Sequence, residues 1–262
     1  MTHQQIIDKL AARHLVQSID EDLARLVYTA MCFHKDDSKQ ASYILTKLLL
    51  RWNCVLKAGD TVSVHYKKKT VLALAVLLHK YGFTDNNITA ESLQAIDDLN
   101  ADVVLDDDFF RKSEEIKKFL TAEPVKLKRK PTVPENITFY RPKDVISIQL
   151  DNRYYAAYIH RLSAPNESTV IEFYDGIFDH VPTLAELERL QAKGQKFNDG
   201  LERVANFSIC GLKFLPDLAN QVQLISACIE TKPSNSHLSE SIGLYTVKDI
   251  FMIQDDITAM FQ

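Results

Sequence analysis

The chain has 262 residues, 46% hydrophobic and 25% charged, with a formal net charge of −4 and a pI near 6.1. That length and composition suffice to bury a core and exclude a chain that is mostly disordered. The acidic balance argues against a general nucleic-acid binder, which carries a basic excess, although it leaves room for a local basic patch.

The first residues, Met1-Thr2-His3-Gln4-Gln5, lack the basic start and apolar stretch of a secretory signal. Residues 2 to about 121 read as helices. Ser18 and Glu21 have the spacing of a capping box, and Leu23, Leu26, Val27, Ala30 and Met31 continue as one apolar stripe. A second helix is expected from about Lys39 to Lys57, with Ile44, Leu45, Leu48, Leu49, Trp52, Val55 and Leu56 as its apolar stripe and Gly59 as its stop. Thr70 to Tyr81 is apolar almost all round and ends at Gly82, which predicts a helix surrounded by others. It contains the longest apolar run, Val71 to Leu78, far short of the ~20 residues that span a bilayer. Shorter helices near Ala90–Leu99 and Ser113–Leu120 complete an expected helical bundle domain over residues 1–122.

Residues 123–136 read as a linker, because three prolines and four basic residues between Glu123 and Pro134 disfavour both helix and sheet interiors. Beyond it the period changes from 3.6 to 2, and residues 137–262 form the expected β-rich domain. Ile146, Ile148 and Leu150 alternate with polar neighbours, Asp151-Asn152 suits a tight turn, and Arg153 to Arg161 returns. Thr169 to Tyr174 makes a third strand before Asp175-Gly176. A helix from about Leu184 to Lys193 follows, capped by Thr183 and stopped by Gly194, and then strands at Phe207–Phe214, Val222–Ile229 and Leu244–Ile253. The expected fold class is therefore α+β: a helical bundle, then a small, strongly bent antiparallel β-sheet or barrel with one inserted helix.

A search for chemistry yields mostly exclusions. All seven glycines are isolated, so no phosphate-cradling loop can be assembled. The four cysteines (Cys32, Cys54, Cys210, Cys228) form no close pair; Cys32 and His34 would point apart on a helix, so no metal is expected and the cysteines read as small buried hydrophobes of a cytoplasmic chain. No G-x-S-x-G elbow is present. His160, on the second strand of the meander, could meet Glu172 or Asp175 on the third as a base–carboxylate pair, which is also an ordinary cross-strand pairing. His79 and His180 read as a helix-end and a loop residue.

Two charge features stand out. Asp97, Asp98, Asp102 and the run Asp106-Asp107-Asp108-Phe109-Phe110 form an acidic cluster without the spacing of a calcium loop. It reads first as a solvated or helix-capping group and second as a docking surface for a basic partner. Lys67-Lys68-Lys69 and Lys126 to Lys130 read as solvated basic segments.

The stretch Lys143 to Ile159, with the later Glu172-Phe173-Tyr174-Asp175-Gly176, resembles the opening hairpin and "FYDG"-like turn of the bacterial immunity protein 26 family. The resemblance covers residues 137 to about 255 and leaves the helical half unexplained. Lys143 stands where the family tends to have glycine, and the glycine and tryptophan usual near the later strand are missing around Gly211 to Ile229. The resemblance implies a non-enzymatic immunity protein that binds a cognate toxin domain and occludes its active site, with no cofactor and no membrane, nucleic-acid or small-molecule partner. Tyr154, Tyr155 and Tyr174 would be aromatic anchors beside Asp175, and Asp106, Asp107, Asp108 and Phe109 would steer and seat a basic partner. The alternatives are a regulatory adaptor for a non-toxin partner and an enzyme built on His160, Glu172 and Asp175.

Overall fold

A computed structural model describes residues 1–262. The chain is α+β, with eight helices, a mixed six-stranded sheet and a two-stranded ribbon, and it divides into two compact units, Met1–Pro134 and Glu135–Gln262. No helix is long and apolar enough to cross a membrane.

The first unit holds six helices. Helix α1 (His3–Lys9) opens on a capping box between Thr2 and Gln5. Helix α2 (Arg13–Phe33) starts before the expected Ser18 cap, and Ser18 is buried inside it. The reason is the apolar stripe, which extends back through Ile19, Val16 and Leu15 and gains more burial than a cap at Ser18 would offer. Helix α3 (Asp37–Leu56) is capped by Asp36, whose carboxylate accepts from the N–H groups of Ser38 and Lys39. Asp22 of α2 and Arg51 of α3 form a buried ion pair at 2.8 Å, and the Trp52 indole N–H donates to the same carboxylate oxygen at 3.1 Å.

Helix α4 (Val64–Lys80) is the central one, buried at every position from Thr70 to His79. It begins at a Ser63 cap and includes the lysine run, which corrects the reading of Lys67–Lys69 as a solvated segment before the helix. Lys67 bonds the carbonyls of Ala58 and Gly59, and Lys68 pairs with Asp98 and Asp102. The helix stops in a Schellman motif: the Phe83 N–H reaches the Leu78 carbonyl, the Gly82 N–H reaches that of His79, and Gly82 has φ of 85°. Helices α5 (Asn86–Ala101) and α6 (Asp107–Leu120) are both longer than expected at their N-termini, since Asp85 and Asp106 cap them ahead of the apolar stripe.

The second unit is built on a sheet in the order β7-β1-β2-β3-β6-β8. Strands β1 (Val145–Leu150), β2 (Arg153–Ala164) and β3 (Glu167–Phe173) form the expected meander, and Asp151, with φ of 52°, makes the tight turn between Leu150 and Arg153. The expected helix from Leu184 to Lys193 shrinks to one turn, α7 (Leu184–Leu187). Its second half is taken by sheet-like bonding instead: the Asp175 N–H donates to the Gln191 carbonyl and the Lys193 N–H to that of Phe173, both at 2.8 Å.

A ribbon of β4 (Gly194–Lys196) and β5 (Glu202–Val204) was not foreseen. Strands β6 (Asn206–Cys210) and β7 (Val222–Ser226) are shorter than expected. The segment expected as a last strand, Leu244–Ile253, divides into β8 (Thr246–Asp249) and the start of α8 (Ile253–Met260), whose Ile253, Ile257 and Met260 recur at helical spacing. Strand β8 runs parallel to β6, so the sheet is mixed rather than antiparallel, and it ends at β7 and β8 without closing into a barrel.

The two sheet faces differ. Ile159, Ile171, Phe173 and Phe207 bury one face, with Phe261 beyond α8 against Tyr155 and Phe173. On the other, Val145, Ala156, Tyr158, Tyr174 and Leu187 form a smaller core with Leu184, Leu190 and Ile229.

Candidate functional site

The period-2 alternation of β3 sends Val170, Glu172 and Tyr174 to the face with the smaller core. Tyr158 of β2 is the Cα partner of Glu172, and the β2–β3 register shifts between Ile159 and Arg161. That irregularity takes His160 out of the ladder and lets its ring lie edge-on to Tyr158 at 5.1 Å. His160 Nε2 then meets Glu172 Oε2 at 2.8 Å. Of the two carboxylates open to His160 from the sequence, the structure pairs it with Glu172, while Asp175 pairs with Lys193 at 3.1 Å.

Glu172 is fully buried, and its second oxygen accepts from the Asn235 side-chain amide at 3.1 Å. A buried carboxylate is costly unless its lone pairs are satisfied, and His160 and Asn235 satisfy both oxygens. The arrangement fixes the imidazole through one ring nitrogen and leaves Nδ1 without a hydrogen bond in the chain, on a side chain that is partly exposed. It can position a histidine for proton exchange or for contact with a partner. No three His, Cys, Asp or Glu side chains converge where a metal ion could bind.

The segment carrying Asn235 is strapped across this face. The Tyr158 hydroxyl donates to the Ile229 carbonyl at 3.0 Å, and the Ile229 N–H donates to the Lys143 carbonyl at 2.8 Å. Lys143 (φ 71°) and Cys228 (φ 58°) both adopt the left-handed conformation, and the Lys143 ammonium pairs with Glu230 at 2.7 Å. Between the strap, α7 and β3 lies a cavity of about 690 Å³ lined by Tyr174, Leu184, Leu187, Arg189, Ile229 and Lys232 among others. Burial pushes the Tyr174 phenol up to about 12, with Tyr158 and Glu172 adding to the effect.

The residues singled out for partner contact scatter. Asp106 is a helix cap, accepting from the Phe109 N–H at 2.8 Å, and Asp108 pairs with Lys9. Asp97 pairs with Lys117 at 2.6 Å and Asp102 with Lys68 at 3.1 Å, so most of the acidic cluster is engaged within the chain, with Asp107 left exposed in the first turn of α6. Phe109 is fully buried, and Tyr155 and Tyr174 are buried as well, which corrects the expectation of exposed anchors at these three positions. In each case the aromatic fills a core: Phe109 faces inward from α6, Tyr155 packs at a tilt against Phe261 with ring centroids 4.8 Å apart, and Tyr174 joins the cluster around Leu187. Tyr154 is half-buried, with its backbone bridged to Phe178. The cysteine expectation also changes, since Cys54 is buried but Cys32 and Cys228 are exposed.

Two features have no clear sequence signal. Asn235 sits in an irregular Ser-Asn-Ser stretch, and only the tertiary fold brings it to Glu172, 63 positions away in sequence. The other is the free edge of the sheet at β8, which pairs with β6 on one side only. Val247 on β8 is 61% exposed, and Ile242 and Leu244 in the segment leading into it are 74% and 77% exposed. No protein-family model, curated protein or solved structure matches this chain.

Proposed function

We propose that the chain is a non-enzymatic immunity protein, which neutralises a bacterial toxin domain by binding it stoichiometrically and covering its active site. The observation that carries the reading is the β8 edge: the strand pairs on one side only, its Val247 is exposed, and Ile242 and Leu244 in the segment leading into it are exposed as well. Natural sheets blunt or cover such edges, and an uncovered apolar edge is a ready template for a partner's strand. The resemblance of Lys143–Ile159 to the immunity protein 26 hairpin supports the same reading. The departure at Lys143 is conservative in backbone terms, because its φ of 71° is the conformation glycine supplies at no steric cost.

The test is co-expression with the toxic C-terminal fragment of a toxin encoded beside this gene. The intact chain restores growth, and the double variant Leu244→Asp/Val247→Asp, with an unchanged thermal melt, loses rescue and weakens binding at least tenfold, about 1.4 kcal/mol. A neighbourhood without any toxic product, or full rescue by the double variant, removes this reading.

The His160–Glu172 pair favours a second reading, an enzyme in which His160 is a general base oriented by a buried carboxylate. Under it, His160→Ala abolishes a turnover while leaving the melt and toxin rescue intact. The immunity reading expects no turnover to lose.

A further inference from the structure

The cavity between α7, β3 and the strap has the size of a small-molecule site, at about 690 Å³. Its wall is aliphatic, formed by Leu184, Leu187 and Ile229. Tyr174, Gln191, Thr231 and Ser234 add uncharged polar groups to the lining, and of these Tyr174 is only 5% exposed while its hydroxyl makes no hydrogen bond within the chain. The hydroxyl is open to the cavity rather than sealed off, so it is available as a donor to whatever fills the site. Tyr158, its neighbour in the same cluster, shows the contrast by donating to the Ile229 carbonyl at 3.0 Å.

Charge at the mouth defines what that something is. Arg189 and Lys232 both line the cavity and are exposed, and neither forms an ion pair with a carboxylate of the chain. Glu188 is the one acidic lining residue, so the three formal charges of the lining leave a net +1. The Tyr174 phenol is neutral at pH 7, as any ordinary tyrosine is, and its O–H can donate to an anion.

We infer that this cavity binds a small carboxylate with an apolar body, its chain against Leu184, Leu187 and Ile229 and its anionic head between Tyr174 Oη, Arg189 and Lys232. An alcohol of the same shape would fill the apolar wall without engaging the cations, and an amine would meet like charge. A bidentate guanidinium and a neutral phenol are both suited to a carboxylate head. This site is separate from the β8 edge, so its failure leaves the immunity reading standing, and the reverse.

Calorimetric titration of the full chain with octanoate, 1-octanol and octylamine tests the inference. The expected order is octanoate tightest, 1-octanol about tenfold or more weaker, and octylamine without measurable binding. Tyr174→Phe, which keeps the ring, weakens octanoate about tenfold or more without changing 1-octanol, and Arg189→Gln/Lys232→Gln does the same from the exposed rim. Failure of the intact chain to bind octanoate overturns the inference. So does binding that neither variant alters, or an affinity for octylamine equal to that for octanoate. The rim variant lies on exposed positions, so it decides the matter even if Tyr174→Phe fails to fold.

Discussion

At the residue scale the chain buries several polar side chains; Ser147, Thr169 and Gln254 make no side-chain hydrogen bond, whereas the charged Asp22 and Arg51 of the first unit are tied together. Asp22, Arg51 and Trp52 are buried together, and the carboxylate oxygen shared by the guanidinium and the indole is the joint between α2 and α3. Removing one side of such a pair leaves the other charge desolvated, so Arg51→Ala is expected to cost about 3–5 kcal/mol in urea unfolding of the first unit. A loss below about 1 kcal/mol would show that water or another cation reaches Asp22.

His3 and His79 give a second residue-scale prediction. Their rings meet at 2.9 Å through His3 Nε2 and His79 Nδ1, and His79 Nε2 faces the Ala122 carbonyl at 3.1 Å. Burial, and then the proximity of His79 and Lys80, hold the His3 imidazole below its ordinary value of 6.5. Between that depressed folded value and about 6.5 the unfolded chain binds more protons than the folded one, so stability falls as the pH drops through this window. His3→Gln is expected to flatten the fall in urea midpoint measured across it. An equal pH dependence in the variant would assign the effect to other groups.

At the element scale the helix ends are informative. Helices α4 and α5 both stop on a left-handed residue with the same pair of backbone bonds, but α4 uses Gly82 and α5 uses Val103, with φ of 85° and 52°. A β-carbon at Gly82 would lie 2.8 Å from the Lys126 Cα, and backbone cannot swing away as a side chain can. Gly82→Ala should therefore destabilise by more than the ~1–2 kcal/mol that the left-handed conformation alone costs a non-glycine residue. Val103 already bears that strain on an exposed side chain, so Val103→Gly should raise stability by about 1 kcal/mol. Paired thermal melts check both signs, and a stabilising Gly82→Ala would contradict the close approach of Lys126.

The strands follow a related rule. The meander from Val145 to Phe173 is legible because period-2 alternation and the Asp151-Asn152 turn are local signals. By contrast, Leu244–Ile253 reads as one strand, since a segment of that length rich in β-branched and aromatic residues suits either a strand or the start of a helix. Only pairing with β6 decides that Thr246–Asp249 is strand, and only burial of Ile253, Ile257 and Met260 at helical spacing decides that the chain then coils.

At the scale of the whole molecule the two units, Met1–Pro134 and Glu135–Gln262, each have a core of their own. Each is therefore expected to fold when expressed alone, with a single cooperative melt and its own secondary-structure signature by circular dichroism. Under the proposed immunity function, the sheet unit alone should carry toxin rescue, because β8 and the exposed aliphatic residues near it belong to that unit. If neither fragment melts cooperatively, the division marks dense local contact rather than independent stability.

The sequence by itself determined the class of each half, the central buried helix, the break near residues 123–136 and the hairpin that opens the sheet. These follow from periodicity, proline chemistry and turn residues, which act over a few positions and need no knowledge of neighbours. It also put His160 within reach of Glu172, because adjacent strands of a meander bring such positions together. The tertiary structure alone decided that Glu172 rather than Asp175 takes that histidine, that Asn235 completes the pair, and that Phe109, Tyr155 and Tyr174 turn inward. Burial and long-range pairing are properties of what the rest of the chain presses against a residue, and no short window of sequence contains that information.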